Sequence, residues 1–430
     1  MSSRSETSLR ELEYVPNSLK WLLLVTGILI ALGTFNIYSA TYYMNMDDGK
    51  ASYFHLLRHG IFLLVGIGTW CLGAFLSKNK IRKGFWLWVL GCIALLALVV
   101  VAGRNVNGAT RWIVLGGISM QPSEFAKVAA VIWTAATLSK YVDRHEKITL
   151  FARFFRPFFH LGSKKKEDSF RSMLWYFVPL YGPLSMALFV LFQPDMGTAG
   201  MILFFPLFLY ILAGLPKKEI LMGLVLGFAA FCVLVLTSPY RWERVMVLYD
   251  PFTFARHQGY QIVQSLIAVG SGGFFGQTGG GGMSKFLYLP EQFTDFAFAV
   301  FCQEFGFLGA FFMLLLYALF LIFGFATASK LKDTYGAFLV YGLSMLISIQ
   351  GLINIAMVVG CFPVTGIPLP FISFGGSSLV TNTFAVGLIY GTTVQTLRHT
   401  DMEERRRRID AMEGRSTSFS QLSKAVRRRQ

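Results

Sequence analysis

Two carboxylates, Glu291 and Asp295, stand four positions apart just before a long apolar run that begins at Phe296. A carboxylate where an apolar helix meets a membrane surface feels two opposed influences. The helix dipole favours its ionised form, while apolar surroundings push its pKa upward. Such a group is suited to taking a proton from a hydroxyl, as a general base does. The same position also suits a plain helix N-cap, and the residues alone leave both roles open for Asp295. Glu291, one turn earlier, shares its face if the segment is helical there and is the alternative base. Arg111, Arg241, Arg244 and Lys127 are the cations available to meet negative charge. Arginine grips phosphate oxygens bidentately, although snorkelling at an interface is the ordinary role of such side chains.

These carboxylates lie in Pro239 to Gly309, a stretch rich in glycine, charge and aromatics within an otherwise apolar chain. Tyr260 to Val269 sets Gln261, Gln264 and Ser265 at helical spacing among apolar residues, the pattern of an amphipathic helix at the membrane surface. The run Gly279 to Gly282 permits close approach to phosphate, but it lacks a Walker pattern and reads more readily as a flexible linker. Upstream, Gln121-Pro122-Ser123-Glu124 starts a helix, and Glu124 and Lys127 share one face. That pair either lines a polar cavity or forms a structural salt bridge. Asp195, between Pro194 and Gly197, is either a cap or a substrate-facing carboxylate. Gly366 to Ser378, with its prolines and glycines at membrane depth, is expected to dip toward the core and floor a cavity.

The elements that must hold these residues follow from composition. Of the 430 residues, 54% are hydrophobic and 14% charged, with a mean hydropathy of +0.54, values far from those of a soluble domain. The expected fold class is therefore an all-α integral membrane protein of about ten spans. The candidate spans are Trp21 to Tyr38, Ile61 to Leu76, Phe85 to Ala102, Phe125 to Leu138 and Met173 to Phe192, then Thr198 to Leu212, Ile220 to Leu236, Phe296 to Phe325, Tyr335 to Val359 and Leu379 to Val394. With the N-terminus inside, 30 of the 39 Lys and Arg fall on the cytoplasmic side and 8 outside, with Lys127 in a span. The positive-inside rule then puts both termini in the cytoplasm. This divides the chain into a cytoplasmic head (residues 1–18), a polytopic membrane domain (residues 19–397) with a large extracytoplasmic loop (residues 239–295), and a basic cytoplasmic tail (residues 398–430). No cleavable signal is evident.

The net charge of +16 is mostly this inside bias plus the tail, not a nucleic-acid footprint. Arg405 to Arg408 and Arg427 to Arg429 fit a retention and solubility tail, or contact with anionic lipid or a partner. The Phe/Arg-rich segment from Tyr141 to Ser172 is expected on the membrane surface. Five cysteines in or beside apolar runs read as packing residues, and six scattered histidines make no ligand pattern, so no metal site is expected.

In order along the chain, Asn107-Gly108-Ala109-Thr110-Arg111-Trp112, Gln121-Pro122-Ser123-Glu124, Gln193-Pro194-Asp195-Met196-Gly197-Thr198, Gly259-Tyr260-Gln261, Leu289-Pro290-Glu291 with Thr294-Asp295-Phe296, and Pro368 to Ser378 closely resemble the SEDS family of bacterial cell-envelope proteins, the FtsW/RodA/SpoVE group. The resemblance implies a peptidoglycan glycosyltransferase that polymerises lipid II in the bacterial inner membrane, working with a class B penicillin-binding transpeptidase and other division or elongation proteins. It implies Asp295 as the catalytic residue and substrate-handling roles for Lys127 and Glu124. Arg111, Asp195, Arg241, Arg244, Gln261, Glu291 and Ser377 complete the expected substrate contacts. Phe293 and Cys302-Gln303 depart from the family pattern, which commonly has His at the first position and Gly-Glu at the others. Gln264-Ser265-Leu266 is closer to the FtsW, division, branch. No cofactor is identified, although magnesium or manganese bridging pyrophosphate and a carboxylate suits the chemistry. The alternatives are a lipid II flippase, for which intramembrane Glu124 and Lys127 would line an alternating cavity, and a scaffold that recruits the transpeptidase.

Overall fold

The computed structural model describes residues 15–106, 109–115, 118–149, 165–255, 259–277 and 289–427. Arg256, the Gly279 to Gly282 run, most of the head, and residues 150–164 of the Phe/Arg-rich segment lie outside them. The helices are α1 (Asn17–Asp47), α2 (Phe54–Phe75), α3 (Lys78–Lys83), α4 (Phe85–Ala102), α5 (Pro122–Asp143), α6 (Lys165–Phe192) and α7 (Met196–Leu212). They continue as α8 (Lys217–Leu236), α9 (Pro239–Tyr249), α10 (Tyr260–Ser271), α11 (Ala297–Ala328), α12 (Thr334–Val358) and α13 (Gly376–Arg427). Every apolar run marked in the sequence falls in a helix to within one residue.

Among the described residues, α1, α2, α4, α8, α11 and α12 are long and apolar enough to cross a membrane on their own. The remaining spans have mixed character for a physical reason. α5 carries Glu124 and Lys127 yet buries nearly all of its side chains against α4, α6, α7 and α12, so protein rather than lipid surrounds its charges. The first part of α13 lies on α2 through small residues. A methyl added at Gly387 would approach the carbonyl of Trp70 to 2.2 Å, and one at Gly391 that of Ala74 to 2.4 Å, the close backbone contact that membrane helices use in place of a hydrophobic drive.

Three features differ from the sequence expectation. The loop holding Arg111 is a small antiparallel sheet in the order β1 (Arg104–Val106), β2 (Ala109–Leu115), β3 (Ile118–Met120), pairing Val106 with Ala109 and Leu115 with Ile118. The eighth span is broken: Gly306 has φ 63° and ψ −160°, a conformation open to glycine. The backbone groups freed by the break bond to the turn after α10, with Phe307 N–H donating to Gly273 O (2.9 Å) and Gln277 N–H to Gln303 O (2.9 Å). The first turns of α11, Ala297 to Glu304, are therefore buried within the protein. Finally, α13 runs on through the basic tail to Arg427, assisted by Arg405 on Asp401 (2.8 Å) and Lys332 on Glu404 (2.6 Å).

Candidate active site

Arg111 of β2, the entry to α7, Arg244 of α9 and the entry to α11 meet around the irregular segment before α13. Asp295 does not cap α11. The N-cap is Phe296, and it makes no side-chain cap bond. No hydrogen bond from a described residue reaches the Asp295 carboxyl, so its oxygens remain available. Its main chain, by contrast, is fixed. Asn354 of α12, fully buried, donates Nδ2 to the carbonyls of Asp295 (2.8 Å) and Ile367 (2.7 Å), tying the start of α11 to the segment before α13.

Charge surrounds the carboxyl on several sides. Burial pushes the Asp295 carboxyl up to about 7; Glu291 pushes the same way, Arg111 opposes it, Asp195 adds to it and Arg244 opposes it. A carboxylate titrating near neutrality is matched to general-base work. Gly366, with φ +70°, lies beside both this carboxyl and Arg111: a methyl there would sit 3.4 Å from Asp295 Oδ2 and 3.7 Å from Arg111 Nη1.

The two arginines are held by backbone. Arg111 donates Nη2 to Pro194 O (2.6 Å), and its Nε lies 3.8 Å from Asp195 Oδ2, beyond hydrogen-bond range. Arg244 donates Nη1 to Val364 O (2.6 Å). Asp195 is the N-cap of α7, accepting from Thr198 N–H (3.1 Å) and Thr198 Oγ1 (2.9 Å), and it orients Arg111 at the same time. Glu291 is exposed and sits in a turn rather than a helix. Its φ of +54° is strained for a side-chain-bearing residue, and its Oε2 accepts from Thr294 Oγ1 (2.7 Å).

Deeper in the bundle, Lys127 Nζ bonds Glu124 Oε1 (2.8 Å) and Gln350 Oε1 (2.7 Å), with both charges almost wholly buried. Gln350 passes the connection on by donating Nε2 to Pro368 O (3.0 Å). Gln350 and Asn354, one turn apart on α12, thus link the Glu124/Lys127 pair to the segment bearing Gly366 and to Asp295. Ser377 Oγ accepts from Gln121 N–H (2.9 Å), which pins the start of α5 to α13.

The structure brings Asp295, Glu291, Arg111, Asp195 and Arg244 together and sets Glu124 and Lys127 behind them. Two other candidates stand apart. Arg241 folds back to Leu234 O at the end of α8 (2.8 Å), and Gln261 is half-buried on α10, whose Ser265 Oγ donates to Val358 O (2.7 Å). The sequence reading passed over Gln350 and Asn354. A signal existed: an amide pair at i, i+4 in an otherwise apolar span needs internal partners. Among the described residues no group of three or more His, Cys, Asp or Glu side chains is arranged to hold a metal ion.

This architecture defines a multi-pass helical membrane protein with a carboxylate and arginine cluster at one membrane face, backed by a buried polar ladder. The chain belongs to the FtsW/RodA/SpoVE family: the family model described as "cell cycle protein" matches residues 20–397. It is similar to stage V sporulation protein E of Bacillus subtilis (strain 168), 34% identical over 378 residues, which cover 86% of this chain and 94% of that protein. It is also similar to the probable peptidoglycan glycosyltransferase FtsW of Coxiella burnetii (strain RSA 493 / Nine Mile phase I), 35% identical over 384 residues, covering 87% and 96%. Among solved structures it matches a chain of a peptidoglycan synthase complex that coordinates polymerization and crosslinking, with TM-score 0.68, 27% identity and coverage of 87% of this chain and 97% of that one. The rod shape determining protein RodA of Thermus thermophilus matches with TM-score 0.58, 27% identity and coverage of 88% and 96%.

Proposed function

We propose that this chain is a peptidoglycan glycosyltransferase that polymerises lipid II into glycan strands in the bacterial inner membrane, alongside a class B penicillin-binding transpeptidase. The observation that carries the reading is an Asp295 carboxyl that accepts no hydrogen bond from a described residue and meets Arg111 at Gly366, within electrostatic reach of Arg244. A sugar hydroxyl of one lipid-linked disaccharide attacks the anomeric carbon of the other. Asp295 takes the hydroxyl proton as the new C–O bond forms. The bond from the anomeric carbon to the pyrophosphate oxygen breaks, and the lipid pyrophosphate leaves with the electron pair. Arg111 and Arg244 meet the charge gathering there, Asp195 holds Arg111 in place, and Glu291 holds the local field that keeps Asp295 a competent base.

Similarity to an FtsW and to a peptidoglycan synthase chain supports this reaction and this partner class. The charge distribution supports cytoplasmic termini, with Asp295 on the outer face. The domain division into head, membrane domain and basic tail follows from the same orientation, and the Gln264-Ser265-Leu266 pattern supports the division branch. The flippase alternative draws less support, because the Lys127 charge is already paired with Glu124 in a buried contact braced by Gln350, which leaves little unpaired charge for a passing substrate. The test is reconstitution of the purified chain with a class B transpeptidase and labelled lipid II. Glycan strands on a gel are expected. Label that crosses liposome bilayers without ever lengthening would overturn the assignment in favour of transport.

A further inference from the structure

At the end of the bundle remote from Asp295, a cavity of about 400 Å3 opens where α3 turns into α4 against the end of α5. Asn79, Arg82, Lys83, Phe85 and Lys140 line it. The lining carries three cations. Arg82 meets Asp143 at 3.3 Å and lies over the Tyr335 ring at 5.6 Å, and Lys140 lies 5.1 Å from the Phe85 ring centroid. Among the described residues, neither Lys83 nor Lys140 has a carboxylate partner, and no acid lines the cavity. The cavity therefore keeps an excess of positive charge.

Two further observations specify the ligand. The cavity abuts the N-terminus of α4, an 18-residue helix whose N-cap, Gly84, supplies no side-chain cap, so the positive end of its dipole favours an anion. The first turn of α4 also presents Trp86 and Leu87, 48% and 57% exposed, beside the charged lining and facing outward. A free phosphate has no use for that apolar flank. A lipid does.

We propose that this cavity binds the phosphate of an anionic phospholipid from the adjacent leaflet, with the lipid's acyl chains running along α4. Lys83 and Lys140 grip the phosphate, Asn79 donates to its oxygens, and Arg82 stays anchored to Asp143. This site is separate from the proposed polymerase reaction and does not depend on it.

The test is native mass spectrometry of the full chain released from detergent with equal phosphatidylglycerol and phosphatidylethanolamine. The wild type is expected to retain phosphatidylglycerol preferentially. Removing a lysine near an anionic headgroup weakens retention about fivefold, so Lys83→Gln with Lys140→Gln loses most of the preference, while the Lys83→Arg, Lys140→Arg pair keeps it. Thermal melting of each variant separates lost binding from misfolding. Equal retention of the two lipids by the wild type, or undiminished preference in the well-folded double Gln variant, overturns the proposal. Displacement of the lipid by millimolar inorganic phosphate assigns the site to free phosphate and overturns it as well.

Discussion

Asp295 and Arg111 converge on Gly366: a methyl there would stand 3.4 Å from the carboxyl Oδ2 and 3.7 Å from the guanidinium Nη1. The three residues come from α11's entry, β2 and the segment before α13, so an acid and a cation far apart in sequence meet at one small residue. The left-handed φ of Gly366 makes the position doubly restrictive.

Gly366→Ala should therefore affect both stability and function. The left-handed backbone costs a β-carbon about 1–2 kcal/mol, and the methyl would stand in van der Waals contact with both base and cation, where a substrate group would otherwise reach them. Melting temperature should fall modestly and polymerisation steeply. A variant with wild-type turnover would mean that this point is not where substrate sits.

The pH profile offers an independent check. With the Asp295 carboxyl near 7, the active ionised form is lost as pH falls, so the rate should drop about tenfold per pH unit below that value. Arg111 holds the value down, so Arg111→Ala should move the acid limb toward higher pH. Linkage gives the sign for stability. A carboxyl raised above its unfolded value keeps its proton longer in the folded state, so it adds stability at low pH that is lost between about pH 4 and 7. Asp295→Asn should flatten that slope in a melting series, whereas an unchanged slope would remove Asp295 as its source.

Breaking the buried pair should be costly. Lys127→Met leaves Glu124 buried and unpaired beside Gln350, a loss of about 3–5 kcal/mol. Adding Glu124→Gln should recover part of it, and the coupling is read from melting of the two single variants and the double. Simple additivity would show that the contact does not carry energy.

Asn354→Leu should uncouple the entry to α11 from the segment before α13. Two carbonyls lose their donor, at about 1–3 kcal/mol for each acceptor left buried. Turnover should fall more than the apparent affinity for lipid II, since the side chain touches main chain and not substrate. The opposite split, with affinity lost and turnover kept, would place Asn354 in the binding surface.

Much of this was legible before any coordinates. Apolar runs located the helices because a span must satisfy its own backbone, and Asp295 stood out as a carboxylate at the edge of one. The break in α11 was hidden because Gly306 looks like any glycine in a span, and its reason is a non-local docking of the turn after α10. The Arg111 sheet is hard to read because β1 and β3 have only three residues each, and in β2 the apolar residues Trp112 to Leu115 run together instead of alternating with polar ones. Arg241 and Arg244 were indistinguishable in sequence. One helix turn sends Arg244 to Val364 beside the cluster and Arg241 back to Leu234.

The most direct measurement is glycan elongation by Asp295→Asn, reconstituted with labelled lipid II and a class B transpeptidase and matched to the wild type for folding by melting. The amide keeps the shape of the carboxylate and removes its basicity, so strand formation should fall below detection while the protein stays intact. Glycan strands of ordinary length and rate from that variant would contradict the assignment of Asp295 as the base.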